Sequence, residues 1–373
     1  MKIVTVAEMR RLEELSVENG TSKDQLMESA GLGAARRIAQ FLNGPRGKRV
    51  LILVGPGNNG GDGLVVARFL SDWGSLVTLY IVNGRSSNDS NYEECLSRRM
   101  RIIESGIGDD YFALSSYLSL ADVVVDAILG IGQRLPLKEN FAEVCSTLNE
   151  VRDQRTDLSF IALDVPTGVD AQTGEIDNKC NAADMTLTFG APKVGLFKFP
   201  AASQVGHLEV IDIGLPPHID RDIRLELADD QMVKRALPSR ALDSHKGSFG
   251  HVVVVGGSTR FVGAPILACK AAYRSGAGLI TLAAPLSVYK LAATQITEAI
   301  HQPIEETETG QASHKAAPSI VQALTDADSA VIGPGLGQSE SIHEFIKQIL
   351  LVKGPANCPL VIDADAINVL RIQ

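Results

Sequence analysis

The sequence predicts an α/β fold: an open parallel sheet with helices on both faces, followed by a second α/β series. Three observations carry this. Short continuous apolar runs, such as RVLILVG (49–55) and SFIALDVP (159–166), end in or just before glycine, aspartate or proline, as strands buried on both faces do. Helical stretches such as GLVVARFLSDWG (63–74) lie between most of them, because parallel neighbours need a crossover. A glycine-rich turn joins the first run to its crossover helix, the opening of a strand–helix–strand unit.

Residues 5–42 read as two helices. Met9, Leu12 and Leu15–Ser16 make one apolar stripe. Leu26, Met27, Ala30, Ala34 and Ile38 make another, and Gly20–Ser22 separates the two. Strand candidates follow at 49–55, 76–82, 121–130, 159–166, 184–190 and 208–214, with a further helix at 140–153. From about Pro216 a charged, proline-bearing stretch reads as a linker or domain entry. FGHVVVVGG (249–257) opens the second series. It continues with a helix over 263–278, then LITLAAP, SAVIGPGLG and CPLVIDADAI, which makes four strand candidates at most. The expected domains are 1–222 and 223–373.

At about 150 residues per domain, 373 residues suit two domains. A hydrophobic share of 45% excludes a disordered or collagen-like chain. The net charge of −9 offers no basic footprint, so no nucleic-acid partner is expected. The five cysteines are odd in number and lack CxxC spacing, which suits free thiols in a reducing compartment. The opening MKIVTVAEMRRLEEL turns charged too early for a secretory signal, and no apolar run approaches the ~18 residues of a membrane span. A soluble cytoplasmic protein without a membrane partner is expected.

The turn at 55–63 reads GPGNNGGDG. Gly55, Gly57 and Gly60 satisfy G-x-G-x-x-G, yet the next strand ends YIVNG, without the acidic residue of a dinucleotide fingerprint, and no G-K-[ST] follows. Backbone amides at a helix N-terminus can hold phosphate. Asn58, Asn59 and Asp62 add oxygens that suit a cation or a ribose instead. The plain alternative is a tight turn with Asp62 as helix cap. Asp126 and Asp164 each end an apolar run, and the carboxyl ends of parallel strands line one crevice. LGIGQRLP (129–136) follows the first, and VPTGVDAQTG, with Thr167, follows the second. Asn, Asp and Thr oxygens suit a hard, weakly demanding cation; the alternative for each aspartate is a cap or a turn. Histidines show no HExxH and serines no G-x-S-x-G. Lys193 is either a ligand-facing cation or a solvated loop lysine.

VAEMRRLEELSVENG…LMESAG (6–31), GPGNNGGDGL (55–64), VVDAILGIG (124–132), LDVPTGVDAQTGE (163–175) and TFGAPKVGL (188–196) occur in that order. Over about 1–220 the chain therefore resembles the epimerase domain of the NAD(P)H-hydrate repair enzymes, a Rossmann-like three-layer fold. HKGSFGHVVVVGGSTRFVGAPILACKAAYRSGAGLITLAAP (245–285), VIGPGLG (331–337) and VIDADAIN (361–368) resemble the ribokinase-like, ADP-dependent dehydratase domain of the same enzymes.

The resemblance implies metabolite repair: interconversion of the R and S hydrates of NADH and NADPH, then removal of water from the S form with ADP or ATP (and Mg). It implies that Asn58, Asn59, Gly60, Gly61 and Asp62 contact the hydrated nucleotide. Gly130, Ile131, Gly132, Gln133, Arg134, Leu135 and Pro136 would hold it, with Asp164. Asn59, Asp126 and Thr167 would bind a potassium ion, Thr167 standing where serine is commoner. Ala264, Gly335 and Gly337 match substrate-side positions of the dehydratase. The family's histidine–proline–glycine, lysine–glycine and glycine–threonine–glycine–aspartate segments do not follow the DADA strand here, so an incomplete second domain without dehydratase activity is expected. Homo-oligomers are expected by the same resemblance. Because epimerisation needs a bond at the hydroxylated carbon to break and re-form, Asp164 is the candidate general acid/base. The rival readings are an NAD-dependent oxidoreductase, a non-catalytic nucleotide-binding protein and a ribokinase-like kinase.

Overall fold

Two capping boxes start the first helices. Thr5 precedes α1 (Val6–Glu18): its hydroxyl accepts from the Glu8 amide, and the Glu8 carboxylate accepts from the Thr5 amide. Ser22 and Gln25 repeat the exchange at α2 (Lys23–Phe41), so each helix has a defined start on either side of the Gly20–Ser22 break. The computed structural model describes residues 1–86, 88–105, 111–352 and 358–371, in two units, Met1–Ala236 and Leu237–Gln373.

The first unit continues with β1 (Arg49–Val54), α3 (Asn58–Asp72), β2 (Leu76–Ile81), α4 (Ser90–Ser97), β3 (Arg101–Glu104), α5 (Phe112–Leu120), β4 (Val123–Ala127), α6 (Glu139–Gln154), β5 (Ser159–Leu163), β6 (Met185–Phe189), β7 (His207–Ile211) and α7 (Asp230–Ala236). The strands form one parallel sheet in the order β3-β2-β1-β4-β5-β6-β7. Successive strand residues face opposite sides. Ile52, Val125 and Ile161 pack with α2 and α3 on one face; Leu51, Val124 and Phe160 pack with Phe141 and Leu148 of α6 on the other. Both faces are covered, which explains the unbroken apolar runs. Strand β3, RIIE, was not among the strands expected from sequence. It lies at the sheet edge, with both end residues exposed, so it carries no long apolar run.

The unit boundary falls at Ala236, later than the expected residue 222. The charged stretch after Pro216 pairs with the start of the chain: the Ile3 amide donates to the Leu225 carbonyl, the Leu227 amide donates to Met1, and the N-terminal ammonium meets Asp229. Local composition cannot report a pairing between segments more than 220 residues apart.

The second unit holds β8 (His251–Val255), α8 (Gly263–Ser275), β9 (Leu279–Pro285), α9 (Leu286–Ala292), β10 (Ile300–Ile304), α10 (Ala317–Thr325), β11 (Ser329–Ile332), α11 (Glu340–Lys347), β12 (Leu360–Ile362) and α12 (Asp365–Arg371). Its parallel sheet runs β10-β9-β8-β11-β12. Strand β10, IHQPI, is a fifth strand where four were expected. Its proline and polar residues are tolerated at an edge and conceal it in the sequence. Among the described residues no helix is long and apolar enough to cross a membrane.

Candidate active site at the strand ends of the first sheet

The order β2-β1-β4-β5 places the topological switch between β1 and β4, where open parallel sheets bind ligands. The turns after β1 and β4 meet there at backbone contact. A Cβ on Gly55 would stand 1.9 Å from the Ile128 carbonyl oxygen, and one on Gly60 would stand 2.0 Å from the Gly55 oxygen. The glycines therefore serve close approach. Arg85, buried after β2, donates to the carbonyls of Gly55 and Gly57 at 2.8 Å each and pairs with Asp89, which ties the loop down. Helix α3 starts with Gly57 at its cap position and no side-chain capping bond. Asp62 lies a turn inside the helix, so the cap reading is excluded.

Asn59, Asp126 and Thr167 come together beneath the loop and all three are buried. The Thr167 hydroxyl donates to Asp126 Oδ1 and its amide to Oδ2, both at 2.8 Å; the Ile128 amide also donates to Oδ1. Asp126 thus closes its own turn as well. The Leu129 backbone joins the set, donating to Thr167 Oγ1 at 3.2 Å and accepting from Asn59 Nδ2 at 3.0 Å. Asn59 Oδ1 is buried with no hydrogen-bond partner. Burial pushes the Asp126 carboxyl above its ordinary value, against the opposing effect of its Thr167 and Ile128 hydrogen bonds. An orphaned amide oxygen, a buried carboxylate and a hydroxyl fit a hard monovalent cation. Among the described residues no group of three or more His, Cys, Asp and Glu side chains could hold a metal.

Asp164 ends β5 in the left-handed region, φ 63, which is uncommon for a residue with a side chain. Its Oδ1 accepts from the Lys193 ammonium, which also donates to Thr188 Oγ1 at 3.0 Å and the Phe189 carbonyl at 3.1 Å. Lys193 is only 1% exposed, so it is no solvated loop lysine. It is seated by the start of the chain: the Val4 amide donates to Pro192 and the Val194 amide to Val4. Replacing Lys193 with methionine strands a buried carboxylate. The variant is expected to lose about 3 kcal/mol of stability, read from urea unfolding.

These groups line a cavity of 370 Å³. Asn58, Asn59, Asp62, Gly130, Ile131, Gly132, Gln133, Asp164, Phe189 and Lys193 face it. The other residues of the expected substrate set lie outside this lining. Gly60 and Gly61 sit beneath, against the Gly55 carbonyl and Met27. Leu135 and Pro136 line a separate hollow with Glu175 and Pro200, and Arg134 points to solvent. Gln133 makes the divide: its amide donates to the carbonyls of Pro166 and Val169 and accepts from the Gly168 amide, so the chain leaves the cavity after it.

Sequence reading missed Arg10 and Glu13 of α1, which also line the cavity. No motif marks them, since they lie some 150 residues from Asp164 and on the polar flank of an amphipathic helix. Burial raises the Glu13 carboxyl, with Asp164 adding to the effect. Burial also pushes Asp62 well above its ordinary 3.8, again helped by Asp164 and Glu13. Folded Asp62 therefore keeps a proton that the unfolded chain releases, and its contribution to stability declines as pH rises above about 4. Asp62→Asn is expected to raise the melting temperature at pH 7 and to leave it unchanged near pH 3, checked by calorimetry at both.

In the second unit, Ala264 and Gly335 lie together, a Cβ on Gly335 falling 3.4 Å from that of Ala264. Gly337 donates its amide to Asp365 at 2.8 Å. Both glycines have positive φ, 71 and 88, at the turn following β11.

Residues 23–195 match the family described as YjeF-related protein N-terminus, and 252–373 match NAD(P)H-hydrate dehydratase. The bifunctional NAD(P)H-hydrate repair enzyme Nnr of Moorella thermoacetica is 34% identical, over 99% of this chain and 70% of that protein. The chain belongs to the family of bifunctional NAD(P)H-hydrate repair enzymes. The protein of that name from Thermofilum pendens is 33% identical, covering 99% of this chain and 69% of its own length. A yeast protein crystal structure shares the fold, with TM-score 0.51 and 24% identity over 62% of this chain and 97% of its own. Membership of the repair family stands against the oxidoreductase reading of the glycine loop. The match over 252–373 gives no support to the expectation that the second half lacks dehydratase activity.

Proposed function

We propose that the Met1–Ala236 unit interconverts the R and S hydrates of NADH and NADPH, with Asp164 as the proton-handling group. The observation that carries this is a strand-end carboxylate anchored at one oxygen by a buried ammonium and facing the cavity beside the glycine loop. The reacting carbon bears a hydroxyl and a ring nitrogen. Protonating the hydroxyl lets the C–O bond break as the nitrogen lone pair forms C=N; water adding to the other face restores the ring and releases a proton. Lys193 occupies Asp164 Oδ1 and leaves Oδ2 for that exchange. Asn58, Asn59, Asp62 and residues 130–133 hold the nucleotide, a positioning task that itself lowers the barrier. Asn59, Asp126 and Thr167 would hold potassium, which supplies charge balance and stiffness to the loops rather than chemistry.

For the second unit we read ADP- or ATP-dependent dehydration of the S hydrate, with magnesium. The family match over 252–373 supports this; we assign Ala264, Gly335 and Gly337 to the substrate side. Purified R hydrate incubated with the protein and resolved by chromatography tests the first activity, and conversion to S is expected. No conversion at stoichiometric protein overturns it. Appearance of reduced-nicotinamide absorbance from S hydrate with ADP and magnesium tests the second.

A further inference from the structure

Helix α1 brings to the cavity a carboxyl that the reading above leaves unused. Glu13 follows Leu12 on the buried stripe of Met9, Leu12 and Ser16, so it is half-buried, and it lines the same cavity as Asp164. Within the described residues its carboxyl makes no hydrogen bond and no ion pair. Its placement is firm. The Val4 pairing with residues 192–194 seats the strap leading into α1. The Val6 amide is held by Gln172 at 3.0 Å, and a Cβ on Gly132 would lie 3.8 Å from Arg10 Nη2. The helix therefore lies over the 130–133 loop.

The R and S hydroxyls sit on opposite faces of one ring carbon, so exchange on a ring that keeps its orientation needs proton transfer at both faces. Asp164, fixed by Lys193, serves one face. We propose that Glu13 is the second proton-handling group of the exchange, acting at the face Asp164 does not serve. This rests on the epimerase reading. In one direction the Glu13 proton passes to the ring hydroxyl. The C–O bond breaks with its pair leaving on water, and the nitrogen lone pair closes C=N. A water then attacks the other face, its oxygen forming the new C–O bond while the C=N pair returns to nitrogen, and its surplus proton goes to Asp164. One water leaves and one enters, one proton is given and one taken, and no electrons are gained or lost. The reverse direction exchanges the two roles. Burial and the Asp164 charge hold the Glu13 carboxyl above the ordinary glutamate value, the direction that favours a proton donor.

The test compares the 373-residue wild-type chain with E13Q and E13D in R/S exchange, measured across pH. E13Q is expected to lower kcat by about 10²–10⁴. KM should stay within about threefold, and the residual activity should lose one limb of its pH profile. E13D restores part of the rate, and it carries the test if E13Q does not fold. Wild-type exchange retained by E13Q, or a loss confined to KM, overturns the proposal. Absence of exchange in the wild type overturns the epimerase reading instead.

Discussion

Asp164→Asn is expected to slow R/S exchange by about 10²–10⁴ while substrate still binds. The asparagine keeps the size of the side chain and one carbonyl oxygen able to accept from Lys193. It cannot take up or release a proton at neutral pH. Titration calorimetry separates binding from rate. The Lys193 ammonium also loses its buried counter-charge, so the melting temperature falls, and rates should be compared well below it. A variant that binds and still exchanges at the wild-type rate removes Asp164 from the chemistry.

Asp126→Ala should produce the largest loss of stability. It strips the acceptor from the Ile128 amide and from the amide and hydroxyl of Thr167. A buried donor left unsatisfied costs about 1–3 kcal/mol, so two amides alone imply roughly 2–6 kcal/mol. The cation site should vanish with it. A ligand at a hundred times its Kd stabilises the folded chain by about 2.7 kcal/mol. Wild type is therefore expected to melt higher in potassium chloride than in tetramethylammonium chloride of equal ionic strength, and the variant equally in both. Identical wild-type melting in the two salts would sink the assignment of Asn59, Asp126 and Thr167 to potassium.

The parts of this molecule legible in its sequence are those whose signal is local. Apolar runs marked β1, β2, β4, β5 and β6 because both faces of these strands are covered. They failed for β3 and β10, edge strands with exposed or polar residues. Asn59, Asp126, Asp164 and Thr167 stood out because each lies at or just after the end of an apolar run or a glycine turn. That residues 134–136 lie outside the cavity lining was not legible, because nothing nearby tells that Gln133 ties the chain down to 166–169. Lys193 stayed ambiguous, because a lysine in a loop is buried only when a distant carboxylate and two further acceptors surround it.

By itself the sequence determined that the chain builds two parallel α/β series and that oxygen-bearing turns follow the strands of the first, because periodicity and turn chemistry act over a few residues. Only the tertiary structure decided which of those turns share a cavity, that residues 223–236 belong with the chain start, and that α1 adds Glu13 to the site. Those facts depend on pairing between segments up to some 220 residues apart, which no local pattern encodes.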